Sequence, residues 1–182
     1  MILLKSRSLA YNWLVWHNSL TVSQYLMLNQ TNATSTSSNI WSSSLPSSTV
    51  FGFNGSVYNG DTFVAYCFAE VEGFSSIGSY TGNGNADGPF VYCGFSPAYV
   101  LVKSSTYAGT FWLVSADPNG YNVVDTYLAA DSSNAEYSPY TWIDYLSNGF
   151  KLRQTGDSLN RSGQTYIYMA FAENPFKYSN AR

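Results

Sequence analysis

The stretch Thr62-Phe63-Val64-Ala65-Tyr66-Cys67-Phe68-Ala69-Glu70 returns as Thr165-Tyr166-Ile167-Tyr168-Met169-Ala170-Phe171-Ala172-Glu173. Threonine falls on threonine, phenylalanine on phenylalanine and glutamate on glutamate, and the other differences are mostly aromatic or aliphatic exchanges. Such a match marks an internal duplication. Alternate residues of a strand point to opposite faces. Phe63, Ala65, Cys67 and Ala69 therefore share one face, and Val64, Tyr66 and Phe68 the other. Neither face is polar, which predicts a central strand covered on both sides.

The duplication extends outward from that strand. Met1-Ile2-Leu3-Leu4-Lys5 is matched by Tyr99-Val100-Leu101-Val102-Lys103, each followed by a polar turn and then by Trp-Leu-Val, at Trp13 and at Trp112. Two apolar runs around a polar turn predict a β-hairpin, and a lysine at its end limits edge pairing or keeps the turn wet. Tyr25-Leu26-Met27-Leu28 and Thr126-Tyr127-Leu128-Ala129 follow, then Trp41 and Trp142, which read as matched core anchors. Phe51-Gly52-Phe53 corresponds to Phe150-Lys151-Leu152, the latter preceded by the hairpin turn Ser147-Asn148-Gly149. Gly60 and Gly163 each precede the repeated strand by two residues. Between the repeats, Gly78 to Pro89 is glycine-rich and polar and reads as a surface loop. Phe90 to Phe95 resumes as a lead-in strand. The first repeat has no such lead-in and is expected to begin inside a longer polypeptide. No stretch carries a helical apolar period.

These features predict an all-β protein of two duplicated antiparallel halves, packed as a sandwich or barrel-like unit with almost no helix. The first repeat is drawn as 1–80, the connection and lead-in strand as 81–98, and the second repeat as 99–182, forming one compact unit.

Charged residues make up 10% of the chain and aromatics 18%, so Ser, Thr, Asn and Gly must supply most of the polar surface. That palette suits extracellular β-proteins, lectin-like modules and virion fibres. Eight basic and eleven acidic residues, without runs, offer no footprint for nucleic acid. Lys5 interrupts the apolar start after four residues, too early for a signal-peptide core or a membrane span. Two cysteines and one histidine fall short of the about four ligands of a structural zinc site. Cys67 is matched by Ala170, which favours a small buried hydrophobe over a disulfide with Cys93.

Catalytic constellations are weak. His17 is the sole histidine, aligns with Ala116 and reads as structural; no Gly-x-Ser-x-Gly elbow is present. Glu70 and Glu173 recur in register and could serve as paired carboxylates, but capping or pairing with Lys5 and Lys103 explains them more simply. Asn83-Gly84-Asn85-Ala86-Asp87-Gly88 resembles a calcium loop in composition only, because the Asp-x-Asp-x-Asp-Gly register is missing. The sequons at Asn29, Asn32, Asn54 and Asn160 are expected by chance in so Ser/Thr/Asn-rich a chain. No catalytic, cofactor or metal residue is assigned. The candidate ligand-binding residues are Trp16 and Tyr107, which lack matched partners, and Asn83, Asn85 and Asp87 in the unmatched loop.

Ser79-Tyr80-Thr81-Gly82-Asn83-Gly84, then Asp87-Gly88-Pro89-Phe90-Val91-Tyr92-Cys93-Gly94-Phe95, and the tail from Tyr166 to Arg182 with its Asn-Pro-Phe-Lys-Tyr-x-Asn-Ala-Arg ending, resemble the C-terminal module of tailed-phage virion proteins. That module often follows a laminin-G-like domain, which this sequence lacks. The resemblance implies a virion setting and no active site. The expectation is a non-enzymatic tail, fibre or surface-decorating subunit without cofactors, forming homo-oligomers and assembling with other virion proteins on the particle surface. The alternatives are a carbohydrate-binding module for host surface glycans and, more weakly, a glycan depolymerase.

Overall fold

A computed structural model describes residues 1–41, 45–54, 60–109, 112–115 (backbone only), 122–137 and 141–175. The tail motif from Phe176 onward, Ala116 and Tyr140 lie outside the described residues. Among the described residues there is no helix, and none therefore long and apolar enough to cross a membrane. The strands are β1 (Ile2–Ser6), β2 (Leu14–Trp16), β3 (Gln24–Met27), β4 (Ser35–Thr36), β5 (Phe63–Cys67), β6 (Ser75–Thr81) and β7 (Phe90–Tyr92). They continue with β8 (Pro97–Ser104), β9 (Trp112–Ser115), β10 (Tyr127–Ala129), β11 (Ile143–Leu146), β12 (Gly149–Leu152) and β13 (Thr165–Ala172).

Three antiparallel sheets result, ordered β4-β3-β2-β1-β5, β10-β9-β8-β13-β6 and β11-β12-β7. They pack as a sandwich, not as a closed barrel. The duplication is visible in the pairing. Lys5 lies opposite Val64, and its counterpart Lys103 opposite Ile167; Ile2 faces Cys67 as Val100 faces Ala170. Gly60 and Gly163 both adopt a left-handed backbone, at φ of 87° and 74°. The two five-stranded sheets meet through equivalent faces. Leu3, Val15 and Leu26 of the first pack with Leu101, Ile167 and Met169 of the second. The matched Phe68 and Phe171 touch edge to face, with centroids 5.9 Å apart.

The two outer faces are covered differently. Val100, Val102, Tyr166, Tyr168 and Ala170 pack under the three-stranded sheet, whose Val91, Ile143, Phe150 and Leu152 face inward. Ile2, Leu4, Leu14 and Trp16 lie instead under a loop carrying Ile40, Trp41, Phe51 and Phe53. A single bridge between Trp41 and Phe53 stands where the second half has the β11–β12 hairpin. Trp41 and Trp142 are both buried, as expected of core anchors.

Several expectations are corrected. The repeated strand is central only in its second copy: β13 runs between β8 and β6, and residues 166–170 are buried. Its first copy, β5, pairs among the described residues with β1 alone and leaves Ala65, Tyr66 and Cys67 exposed. Cys67 is therefore no buried hydrophobe, and both cysteines are free thiols. Burial pushes the Cys93 thiol up to about 12, which keeps it protonated and unreactive. Gly78 to Thr81 belong to strand β6, which joins the second half's sheet although it precedes residue 81. Gly78 is a glycine because a Cβ there would lie 2.9 Å from the Tyr168 hydroxyl.

The Trp-Leu-Val match also slips by one residue. Leu4 lies opposite Leu14, whereas its counterpart Val102 lies opposite Trp112. Trp112 thus takes the place of Leu14, and Trp16 the place of Val114: the paired positions are equally far apart in the two hairpins, so matching tryptophan to tryptophan adds a residue that the strand pairing does not have. Lys103 is fully buried at the end of a central strand, not wet. Its ammonium donates to the Thr31 carbonyl at 3.2 Å, and burial lowers its pKa to about 8.

His17 is structural and fully buried. Its Nδ1 accepts from the Ser19 amide at 3.1 Å, so Nε2 carries the proton and donates to the Tyr168 carbonyl at 3.1 Å. Burial lowers its pKa from 6.5 to about 4. As pH falls below 6.5 the unfolded chain takes up the proton first, so stability is lost between pH 6.5 and 4. The loss is about 3 kcal/mol once both states are protonated. Denaturant unfolding of wild type and His17→Gln across pH 4–7 checks this; the substitution is expected to flatten the slope in that window, and an equally steep slope would refute it.

Candidate functional site

The unmatched loop after β6 is built on a residue far away in sequence. Asn160 is fully buried. Its Oδ1 accepts from the Asn83 amide at 2.9 Å, and its Nδ2 lies 3.0 Å from Asn83 Oδ1, 2.7 Å from the Asn85 carbonyl and 2.8 Å from the Gln154 carbonyl. The loop continues this pattern internally. The Asn85 amide donates to Asn83 Oδ1 and the Asp87 amide to Asn85 Oδ1, each at 2.9 Å, while Asn83 Nδ2 donates to the Asp87 carbonyl. Gly82 and Gly88 permit close approach: a Cβ there would fall 2.4 Å from the Arg161 carbonyl oxygen and 2.6 Å from that of Leu152. The oxygens a calcium ion would need are thus engaged with the protein. Among the described residues no three His, Cys, Asp or Glu side chains cluster as metal ligands.

Asp87 projects from this loop toward the three-stranded sheet. Its carboxylate lies 2.7 Å from Lys151 Nζ and 3.9 Å from Arg153, which reaches Asp144 at 2.5 Å. The hydrogen bond from Lys151 holds the Asp87 carboxyl below the usual carboxylate range. Directly opposite residues of an antiparallel pair share a face. Asp144, Lys151 and Phe90 form one such row, and Leu146, Gly149 and Tyr92 the next. Phe90 is 45% and Tyr92 67% exposed, so the outward face of this sheet is an aromatic patch beside a Lys151–Asp87–Arg153–Asp144 chain. Gly149 lets β7 approach: a Cβ there would fall 2.1 Å from the Val91 carbonyl oxygen.

Tyr107 lies on the other side of the same anchoring segment. The Arg161 guanidinium sits 4.2 Å from its ring centroid and 3.3 Å from Asp157. The turn at residues 157–163 therefore carries both the Asn83–Asp87 loop and the Tyr107 contact. Four of the five sequence candidates converge there. Trp16 does not: it is 8% exposed, packed beneath the first half's cover, and not the surface platform its unmatched appearance implied. With Ile2, Cys67, Val50 and Phe51 it lines a cavity of about 340 Å3 whose rim includes Glu70. Glu70 accepts from the Ile77 amide at 3.3 Å, and among the described ion pairs neither Glu70 nor Glu173 is joined to Lys5 or Lys103.

Sequence reasoning missed Asn160, Lys151, Arg153, Phe90 and Tyr92 as parts of one region. Asn160 was visible only as a sequon, and its complete burial removes it as a glycosylation acceptor in the folded protein. The alternation of Phe90-Val91-Tyr92, with Val91 flanked by two aromatics, is the signal that could have placed an aromatic pair outward.

An all-β sandwich with a loop-and-sheet-face site and no assigned chemistry is the class these features define. Residues 1–175 match the family described as Domain of unknown function (DUF7483), and the chain belongs to that family. No curated protein and no solved structure matches it.

Proposed function

We propose that the protein is a non-enzymatic structural and interaction component of a tailed-phage particle: a tail, fibre or surface-decorating subunit that assembles with copies of itself and with other virion proteins. The observation that carries this reading is the exposure of large aromatics on edge strands, Tyr66 on β5 and Phe90 and Tyr92 on β7. Aromatic anchors in a charge-poor surface suit wide protein interfaces. The resemblance of the Ser79 to Phe95 segment and of the tail to phage virion modules supports the setting. Mass spectrometry of purified particles, with sedimentation of the isolated protein, tests it. Presence in particles and self-association are expected; a monodisperse monomer missing from particles would overturn the reading.

A second reading, recognition of a host surface glycan, is favoured by the flat Phe90/Tyr92 face with Asp87, Lys151 and Arg153 beside it. Aromatic faces stack on sugar rings, and the charged rim supplies hydrogen bonds to hydroxyls. If this face binds a glycan, replacing both Phe90 and Tyr92 with alanine is expected to weaken array binding at least about tenfold. Binding that survives the double substitution would exclude this face, and a wild type that binds nothing would exclude the reading.

A further inference from the structure

We infer that β5 is the self-assembly edge of the protein: it pairs with β5 of a second copy, antiparallel, about Ala65. The inference rests on the self-association in the reading above and names the surface that performs it.

The two halves provide the comparison. In the second half β13 has a strand on each side, and Tyr168 and Ala170 lie opposite Gly78 and Ser76 of β6. Their counterparts on β5 are Ala65 and Cys67, and among the described residues no strand lies beside them. The hydrogen-bond phase shows which groups face outward. The Phe68 amide donates to the Met1 carbonyl and the Arg7 amide to the Thr62 carbonyl, so the even-numbered residues of this strand bond to β1. Ladder groups alternate along an antiparallel pair, so the N–H and C=O of Ala65 and Cys67 point to the open side, as those of Tyr168 and Ala170 point to β6.

Natural sheet edges usually carry lysine, proline, charge or a bulge that blocks pairing. From Thr62 to Ala69 this edge has none of these, and it is rich in strand-forming Phe, Val and Tyr. Ala65 and Cys67 are small or modest in size, and with Tyr66 they are exposed. A second copy is the occupant that fits. The strand carries no charge to repel its twin, and centring on Ala65 sets Phe63 against Cys67 of the partner and Val64 against Tyr66 of the partner. The two sheets of order β4-β3-β2-β1-β5 then join into one continuous sheet across a twofold axis. A twofold pairing of this kind closes on itself, so it yields dimers and not open fibres.

The test is sedimentation equilibrium of wild type, Ala65→Pro and Ala65→Lys over a concentration series, with Leu128→Ser as the control on the exposed edge strand β10. Proline at an outward-facing edge position removes no bond to β1 but blocks a strand from adding. A wild-type dimer that Ala65→Pro and Ala65→Lys convert to monomer, with the strand circular dichroism retained and Leu128→Ser still dimeric, is the expected result. Where Ala65→Pro does not fold, Ala65→Lys and hydrogen exchange of the wild type decide, with the Ala65 and Cys67 amides slowing at least about tenfold at dimeric concentration. A wild-type monomer at every concentration, or a dimer unaffected by either substitution, overturns the inference. Protection of those amides only when another virion protein is added also overturns it, in favour of a strand donated by that protein. Particle incorporation is read separately, so loss of this edge pairing and loss of the virion reading remain distinguishable.

Discussion

Asn160→Ala is expected to cost about 4 kcal/mol of stability, from several hydrogen bonds worth about 1 kcal/mol each and from buried groups left without partners. The side chain is fully buried and reaches Asn83, Asn85 and Gln154 at 2.7–3.0 Å. Alanine removes all of these contacts and leaves the Asn83 amide and the Gln154 carbonyl without their partner. In a domain of this size that corresponds to a fall in melting temperature of about 10 °C. The damage should also be local. The Asn83 and Gly84 amides, bonded to Asn160 Oδ1 and to its carbonyl, are expected to exchange far faster than those of β13. Urea unfolding and amide exchange check both parts, and a loss below about 1 kcal/mol would show that the loop stands without this anchor.

Phe150→Ala should cost about 4 kcal/mol as well, by a different route. Phe150 is fully buried on β12, edge to face with Tyr80 at 6.2 Å and with Tyr168 at 5.4 Å. It is where the three-stranded sheet sits on the second half's sheet, and its removal leaves a cavity that two rigid sheets cannot close. Phe150→Leu refills most of the volume and is expected to recover over half of the loss. Calorimetry of the pair distinguishes a packing role from a general intolerance of substitution. Because β12 also carries Lys151, loosening it should disturb the Asp87 contact and the Phe90/Tyr92 face.

Much of the architecture was legible before any coordinates. The matched hairpins, the Ser147-Asn148 turn and the buried pair Trp41/Trp142 follow from local pattern and from comparing one half with the other, whereas the loop expected from Gly78 to Pro89 begins only after Thr81. Hairpin registers are local quantities, set by a turn and two neighbouring runs. Where identical side chains were matched at the expense of equal spacing, pattern matching slipped. Aligning tryptophan with tryptophan placed Trp13 on Trp112, whereas strand pairing places Leu14 there and turns Trp16 inward. A slip of one residue reverses which face a side chain occupies.

The candidate site was legible in part. The polar loop could be singled out from its composition, but the residue that holds it is 77 positions away from Asn83 and carries no mark beyond being an asparagine. The aromatic pair on β7 carries an alternation signal in sequence, but that Gly149 and Lys151 lie opposite it came only from the strand pairing. Lys103 shows the same limit, since a lysine that closes a hairpin in sequence becomes buried when the opposing half packs over it.

The repeated stretch separates the two kinds of information. Sequence by itself determined that both copies are strands of duplicated antiparallel halves, because apolar pattern and spacing encode those features. Only the tertiary structure decided that Thr165–Ala172 is a central strand and Phe63–Cys67 an edge. Burial of a strand depends on its neighbours in space. The neighbour that makes the difference, β6, is a serine- and glycine-containing segment whose pairing is carried by the backbone and whose side chains barely announce it.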